Sequence, residues 1–217
     1  MTRLAVFDCD GTLVDSQANI CRAMEEAFLL AELPAPPRTA IRRIVGLSLV
    51  EALQALLPDA ATEKHRRMAA DYKDAFFRLR TSGAMAEEPL FDGIAAVIER
   101  LQTDGWLLGV ATGKSDRGLA HILAHHGLAD RFVTLQTADR HPSKPDPSML
   151  LAAMAEAGAT PAETAMIGDT SFDMVMAKAA GARAIGVAWG YHDQSDLVNG
   201  GADVVADRVA ALPALLT

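Results

Sequence analysis

Two carboxylates lie two residues apart near the start of the chain, in Asp8-Cys9-Asp10-Gly11-Thr12-Leu13. The apolar run Leu4-Ala5-Val6-Phe7 before them reads as a buried strand. Gly11 after them permits a sharp turn and close approach of backbone to a ligand. Strand, acids and turn in that order project Asp8 and Asp10 from the end of a central strand, where open α/β sheets bind ligands. Acids so close repel each other unless something cationic sits between them. A plain turn and a calcium loop compete for the same residues. The calcium reading weakens because Thr12, Leu13 and Val14 do not continue an oxygen-ligand alternation and no bidentate Glu follows.

Three later pieces carry complementary chemistry: Ala111-Thr112-Gly113-Lys114, Ser143-Lys144-Pro145 and Gly168-Asp169-Thr170-Ser171-Phe172-Asp173. The hydroxyl of Thr112 and the backbone N–H groups around Gly113 could hold a phosphate oxygen, or Thr112 could cap a helix starting near Asp116. Lys114 reads as a solvated charge as readily as a ligand. Lys144 lies among Pro142, Pro145 and Pro147, which fix its loop and suit it to pair with Asp8 and an anion. Asp169 and Asp173 are spaced to meet at a helix start. Acids are favoured there by the helix dipole, and they could equally hold Mg²⁺, which takes a few carboxylates with phosphate and water.

Taken in order, these four pieces resemble the signatures of the haloacid dehalogenase superfamily of aspartate-nucleophile phosphohydrolases, and Ile41-Arg42-Arg43-Ile44-Val45-Gly46-Leu47-Ser48 resembles the cap segment of its phosphoglycolate-phosphatase-like branch. The resemblance spans essentially the whole chain, loosely over residues 16–87. It implies that Asp8 is a nucleophile forming an aspartyl-phosphate and that Asp10 handles protons. It further implies that Thr112, Gly113 and Lys144 bind phosphate. Mg²⁺ is then held by Asp8, the backbone carbonyl of Asp10 and Asp169, with Asp173 acting through a water or a neighbour. The dehalogenase branch lacks the second aspartate, so Asp10 favours phosphate substrates. In Ile41-Arg42-Arg43-Ile44-Val45-Gly46-Leu47-Ser48, Arg42 or Arg43 could meet a substrate anion or could be solvated helix charges. A phosphosugar mutase of the beta-phosphoglucomutase type is an alternative, weakened because Leu49 and Val50 follow Ser48 where that branch carries an Arg. A receiver-like phosphoacceptor module is another, but such a module is about 120 residues, one small domain, and has no need of Asp10.

The elements that must position these residues read as an α/β fold: a Rossmann-like parallel sheet core with an inserted all-helical cap. Residues 15–31, 38–45, 48–57 and 61–80 carry helical patterns with no strand among them. From about residue 92, helices alternate with apolar strands at 106–111, 132–135, 165–167, 184–187 and 203–205. The first strand must join that sheet, so the core is discontinuous, 1–15 and 88–217, with the cap at 16–87.

At 217 residues the chain can bury a sizeable core. Its net charge of −8, without a Lys/Arg block, argues against nucleic acid or an anionic membrane as partner, and a small phosphorylated metabolite is the expected one. Cys9 and Cys21 have no metal or disulfide spacing. No basic-then-apolar leader or long apolar run appears. The expectation is a cytoplasmic monomer or homodimer. His121 and His125, one helical turn apart, read as a surface pair.

Overall fold

The computed structural model describes residues 2–216. Six parallel strands form one sheet in the order β3-β2-β1-β4-β5-β6. They are β1 (Leu4–Phe7), β2 (Leu107–Thr112), β3 (Thr134–Thr137), β4 (Thr164–Gly168), β5 (Arg183–Val187) and β6 (Val204–Ala206). β1 lies between β2 and β4, with Phe7 opposite Val110 on one side and Ile167 on the other. Both of its faces are buried, which explains an unbroken apolar run in place of alternation. Ala5 and Phe7 face a core built with α5 (Ile94–Thr103), α6 (Asp116–His125) and α10 (Leu212–Leu215). Leu4 and Val6 face the opposite core, built with α7 (Ser148–Ala157), α8 (Ser171–Ala179) and α9 (Gln194–Asn199).

Between β1 and α5 lie α1 (Gln17–Leu30), α2 (Arg38–Arg43), α3 (Leu49–Leu56) and α4 (Thr62–Thr81), with their own core of Ile20, Met24, Phe28, Ile41, Leu53 and Met68. The two connections to this helical insert run side by side. Val14 bridges Leu90 in antiparallel fashion, Asp15 N–H donates to the Pro89 carbonyl at 2.9 Å, and Phe91 N–H donates to the Leu13 carbonyl at 3.0 Å.

The third strand starts two residues later than its apolar pattern suggests. Phe132 is buried in the core from a loop, after a short 3₁₀ turn at Ala129–Arg131, so the apolar signal runs ahead of the strand. α9 and α10 carry no pattern long enough to stand out in the sequence.

Candidate active site

β1 delivers Asp8 to the C-terminal edge of the sheet, where its N–H still bonds the Ile167 carbonyl at 2.9 Å. The carboxylate is almost fully buried. Oδ1 accepts from the Cys9 N–H at 2.7 Å and lies 2.9 Å from Lys144 Nζ, while Oδ2 has no partner. Burial pushes Asp8 up to about 7; Lys144 opposes the rise, and the charges of Asp173 and Asp10 add to it.

Lys144 is fully buried and lies 2.6 Å from Asp173 Oδ1 as well as against Asp8. Burial alone would favour its neutral form, but the two carboxylates outweigh this and hold it above the ordinary lysine value. Asp173 is fixed in turn by the start of α8. Its Oδ2 accepts from the Thr170 N–H at 3.1 Å and hydroxyl at 2.7 Å, a reciprocal cap. Helix capping and lysine pairing are thus both true of Asp173.

Asp169 follows β4. Its Oδ1 accepts from the Thr12 hydroxyl at 2.8 Å and its Oδ2 from the Tyr191 N–H at 2.9 Å. Two glycines make room for it. A Cβ on Gly11 would sit 2.1 Å from Asp169 Oδ2, and one on Gly190 would sit 2.1 Å from Asp169 Cβ. Gly11 also has φ +83°, a conformation that strains any other residue. Burial, then the charges of Asp8 and Asp173, raise Asp169 well above the carboxylate range.

Asp8, Asp169 and Asp173 each present an oxygen within 4.8 Å of the others, all three buried. Among the described residues Lys144 is the one cation paired with them. Three buried acids, one with an unpartnered oxygen, have the charge and the hard oxygen donors that a divalent cation requires.

Asp10 is bound differently. Lys114 Nζ lies 2.8 Å from its Oδ1, and the Ser16 hydroxyl donates to the same oxygen. Ser16 therefore occupies the N-cap position of α1 without capping it; its hydroxyl serves Asp10, and its N–H donates to the Tyr191 hydroxyl at 3.2 Å. Lys114 is not the solvated charge that its position in the sequence allows. Asp10 outweighs the cost of burying it and raises it above the ordinary lysine value.

Asp8, Asp10, Thr112, Gly113 and Lys114 line one cavity of about 620 Å³, whose opposite wall comes from the insert, including Ile20, Met24, Tyr72 and Phe76. Thr112 does not cap α6. Ser115 does, and Thr112 Oγ1 accepts from the Lys114 N–H at 3.2 Å. Gly113 touches the insert so closely that a Cβ there would lie 2.7 Å from the Leu47 carbonyl oxygen. Ser48 N–H donates to Ser143 Oγ at 2.8 Å, and Arg43 reaches Asp196 at 3.3 Å. Arg42 does not line the cavity; its Nε is buried without a partner, and its charge acts on Cys21. His121 and His125 stack at 6.3 Å on exposed α6 positions, and Asp8, Asp169 and Asp173 make the one metal-capable cluster among the described residues.

Lys114, Ser16 and Tyr191 are the residues sequence reasoning did not join to the site, while Arg43, a candidate for a substrate anion, does not line the cavity and pairs with Asp193 and Asp196. Lys114 carried the one available signal, since it follows Thr112 by two positions. Only the adjacency of β2 and β1 brings it to Asp10.

Comparison with known proteins agrees with this arrangement. A family model described as haloacid dehalogenase-like hydrolase matches residues 5–187. The chain is 37% identical over 222 residues to the probable phosphatase IndB of Dickeya dadantii, covering 100% of this chain and 96% of that protein. It is 29% identical over 218 residues to a phosphoglycolate phosphatase of Vibrio vulnificus, covering 97% and 94%. The crystal structure of a predicted phosphatase from Clostridium acetobutylicum superposes with a TM-score of 0.89 at 25% identity, covering 100% of this chain and 98% of that one. No helix among the described residues is long and apolar enough to cross a membrane.

Proposed function

The chain belongs to the haloacid dehalogenase-like hydrolases, as a phosphoric monoester hydrolase of the phosphoglycolate-phosphatase-like branch, and from that premise we propose that it cleaves a small phosphomonoester by way of an aspartyl-phosphate on Asp8. The observation that carries this reading is the pairing of opposites in one cavity. Asp8 has one oxygen held by Lys144 and one without a partner, while Asp10 is held apart from it by Ser16 and Lys114.

In the first step an Asp8 oxygen attacks phosphorus, and the ester oxygen departs with a proton from Asp10. In the second, Asp10 takes a proton from water as that water attacks the aspartyl-phosphate. Orthophosphate leaves and both carboxyl groups regain their starting states. Lys144 neutralises charge on Asp8 and the phosphoryl oxygens, and the Thr112 hydroxyl with the Gly113 N–H orients them. Mg²⁺ is the cofactor we propose, held by Asp8, Asp169 and the backbone carbonyl of Asp10, with Asp173 holding Lys144. When bound, it supplies positive charge for the transferring phosphoryl group. The helical insert, residues 16–87, acts as a cap over residues 1–15 and 88–217. Its contacts with the core at Gly113, Ser143 and Asp196 support that role.

The test is phosphate release from a panel of phosphomonoesters, with Mg²⁺ and with chelator, for wild type and Asp8→Asn. Metal-dependent release that Asp8→Asn abolishes is the expected result. Equal release by the variant overturns the nucleophile assignment.

A further inference from the structure

The cavity is larger than a two-carbon phosphoester requires. At about 620 Å³ it falls in the middle of the range for sites that enclose whole metabolites. Two of its wall residues, Arg80 on α4 and Arg117 on α6, stand on opposite sides of the boundary between insert and core. The Arg80 guanidinium carbon lies 5.6 Å from the Phe76 ring centre, and that of Arg117 lies 4.6 Å from the ring centre of Phe77. Among the described residues neither makes an ion pair, and Arg80 Nε is buried with no hydrogen-bond partner. Burial lowers the proton affinity of Arg80; the charge of Glu88 opposes this, and that of Arg117 adds to it. A part-buried guanidinium with an unpartnered Nε, in a cavity that a second unpaired arginine also lines, has hydrogen-bonding capacity that an anion would satisfy.

We propose that Arg80 and Arg117 form a second anion-binding pair in the cavity, so that the substrate is a phosphomonoester with an apolar body and a second anionic group. The claim rests on the phosphatase reading above. The phosphoryl group sits at Asp8, the body lies against Tyr72 and Phe76, and the second anion bridges the two arginines. Arginine suits this task because its planar fork binds a carboxylate or phosphate with two parallel hydrogen bonds. Because one arginine belongs to each side of the boundary, a doubly anionic substrate draws insert and core together, whereas a singly anionic one does not.

The test compares phenyl phosphate, 4-carboxyphenyl phosphate and 1,4-phenylene bisphosphate as substrates. Binding of benzylphosphonate and 4-carboxybenzylphosphonate, which cannot be hydrolysed, is measured by calorimetry alongside. The expected wild-type preference for the carboxylated member of each pair is at least ~10-fold, the gain from charge-assisted bonds to arginine. In the Arg80→Gln/Arg117→Gln double variant the ratio should fall toward one. A stronger response to the bisphosphate than to the carboxylate identifies the second group as a phosphate, and the reverse identifies a carboxylate. Equal affinity of the wild type for the two phosphonates overturns the proposal, whether or not the variant folds. Absence of phosphate release from every ester, with the phosphonate preference intact, overturns the phosphatase reading and leaves the arginine pair standing.

Discussion

Lys114 Nζ lies 2.8 Å from Asp10 Oδ1, and the two side chains are only 11% and 10% exposed. The ammonium and the Ser16 hydroxyl hold one oxygen of Asp10 from two directions. In the mechanism proposed above Asp10 transfers protons, so it must be aimed as well as ionisable, and Lys114 with Ser16 would do the aiming. Lys114→Met should lower kcat by ~10–100-fold, part of the ~10²–10⁴-fold that a positioned acid or base supplies. KM should change little, and Lys114→Arg should recover a portion of the rate. Steady-state kinetics of the three proteins decide it; an unaltered kcat in Lys114→Met removes the positioning role.

The raised value of Asp8 has a consequence for stability. A carboxyl at about 7 in the folded chain and near 3.8 in the unfolded one binds more protons when folded across that interval. Folded-state stability from this group therefore falls as pH rises from about 4 to about 7 and is level above. In chelator, wild type should lose stability relative to Asp8→Asn over that window, read by urea denaturation at several pH values. Mg²⁺ at pH 7.5 should then restore wild type by ~2.7 kcal/mol at a hundredfold excess over Kd and leave Asp8→Asn nearly unmoved. Equal responses of the two proteins to Mg²⁺ would remove Asp8 from the metal site.

Gly11→Ala puts a methyl group into space that Asp169 occupies, at a backbone angle alanine avoids. A cost of about 1–3 kcal/mol is expected for the strain alone. For a chain of this size that corresponds to a fall in Tm of several degrees, with Mg²⁺ affinity lowered as well. Thermal melts with and without Mg²⁺ separate the two effects; a variant with unchanged melting and metal response would contradict the packing described.

Gly113→Ala tests the contact between core and insert. The added methyl group meets the carbonyl oxygens of Leu47 and Gly46 at 2.7 and 2.9 Å, so the loop after α2 must retreat. KM should rise by ~10-fold or more, in line with the cost of small misplacements in a site, while the urea midpoint stays close to that of wild type. An unchanged KM would show that the loop is not held by this contact.

Most of the site was legible because its residues end strands. An apolar run followed by Asp8, Thr112 or Asp169 marks both an element and its functional end. The parallel α/β architecture and the helical insert were legible for the same reason, since a period of strands and a period of helices do not look alike. What could not be read is lateral order. That β1 lies between β2 and β4 is a property of the folded sheet, and the Lys114–Asp10 and Thr12–Asp169 contacts depend on it. Ser16 and Tyr191 were hidden because a serine before a helix ordinarily caps it and a lone tyrosine ordinarily packs. The arginine pair was hidden because each member, alone, is an ordinary helix charge.

The central place of β1 also fixes when the catalytic centre comes into being. Its neighbours in the sheet are more than a hundred residues downstream, Leu4 pairing with Leu107 on one side and Thr164 on the other. On the ribosome the strand that carries Asp8 emerges first and waits longest. The helices of the insert can meanwhile close on one another through contacts nearer in sequence, such as those of α1 with α4. β2 can pair with β1 once residue 112 has been made, but until β4 follows, the two acids of the first motif have no Asp169 beside them. Turnover is therefore expected late in synthesis, and its first appearance in a translation reaction would time the arrival of β4 beside β1.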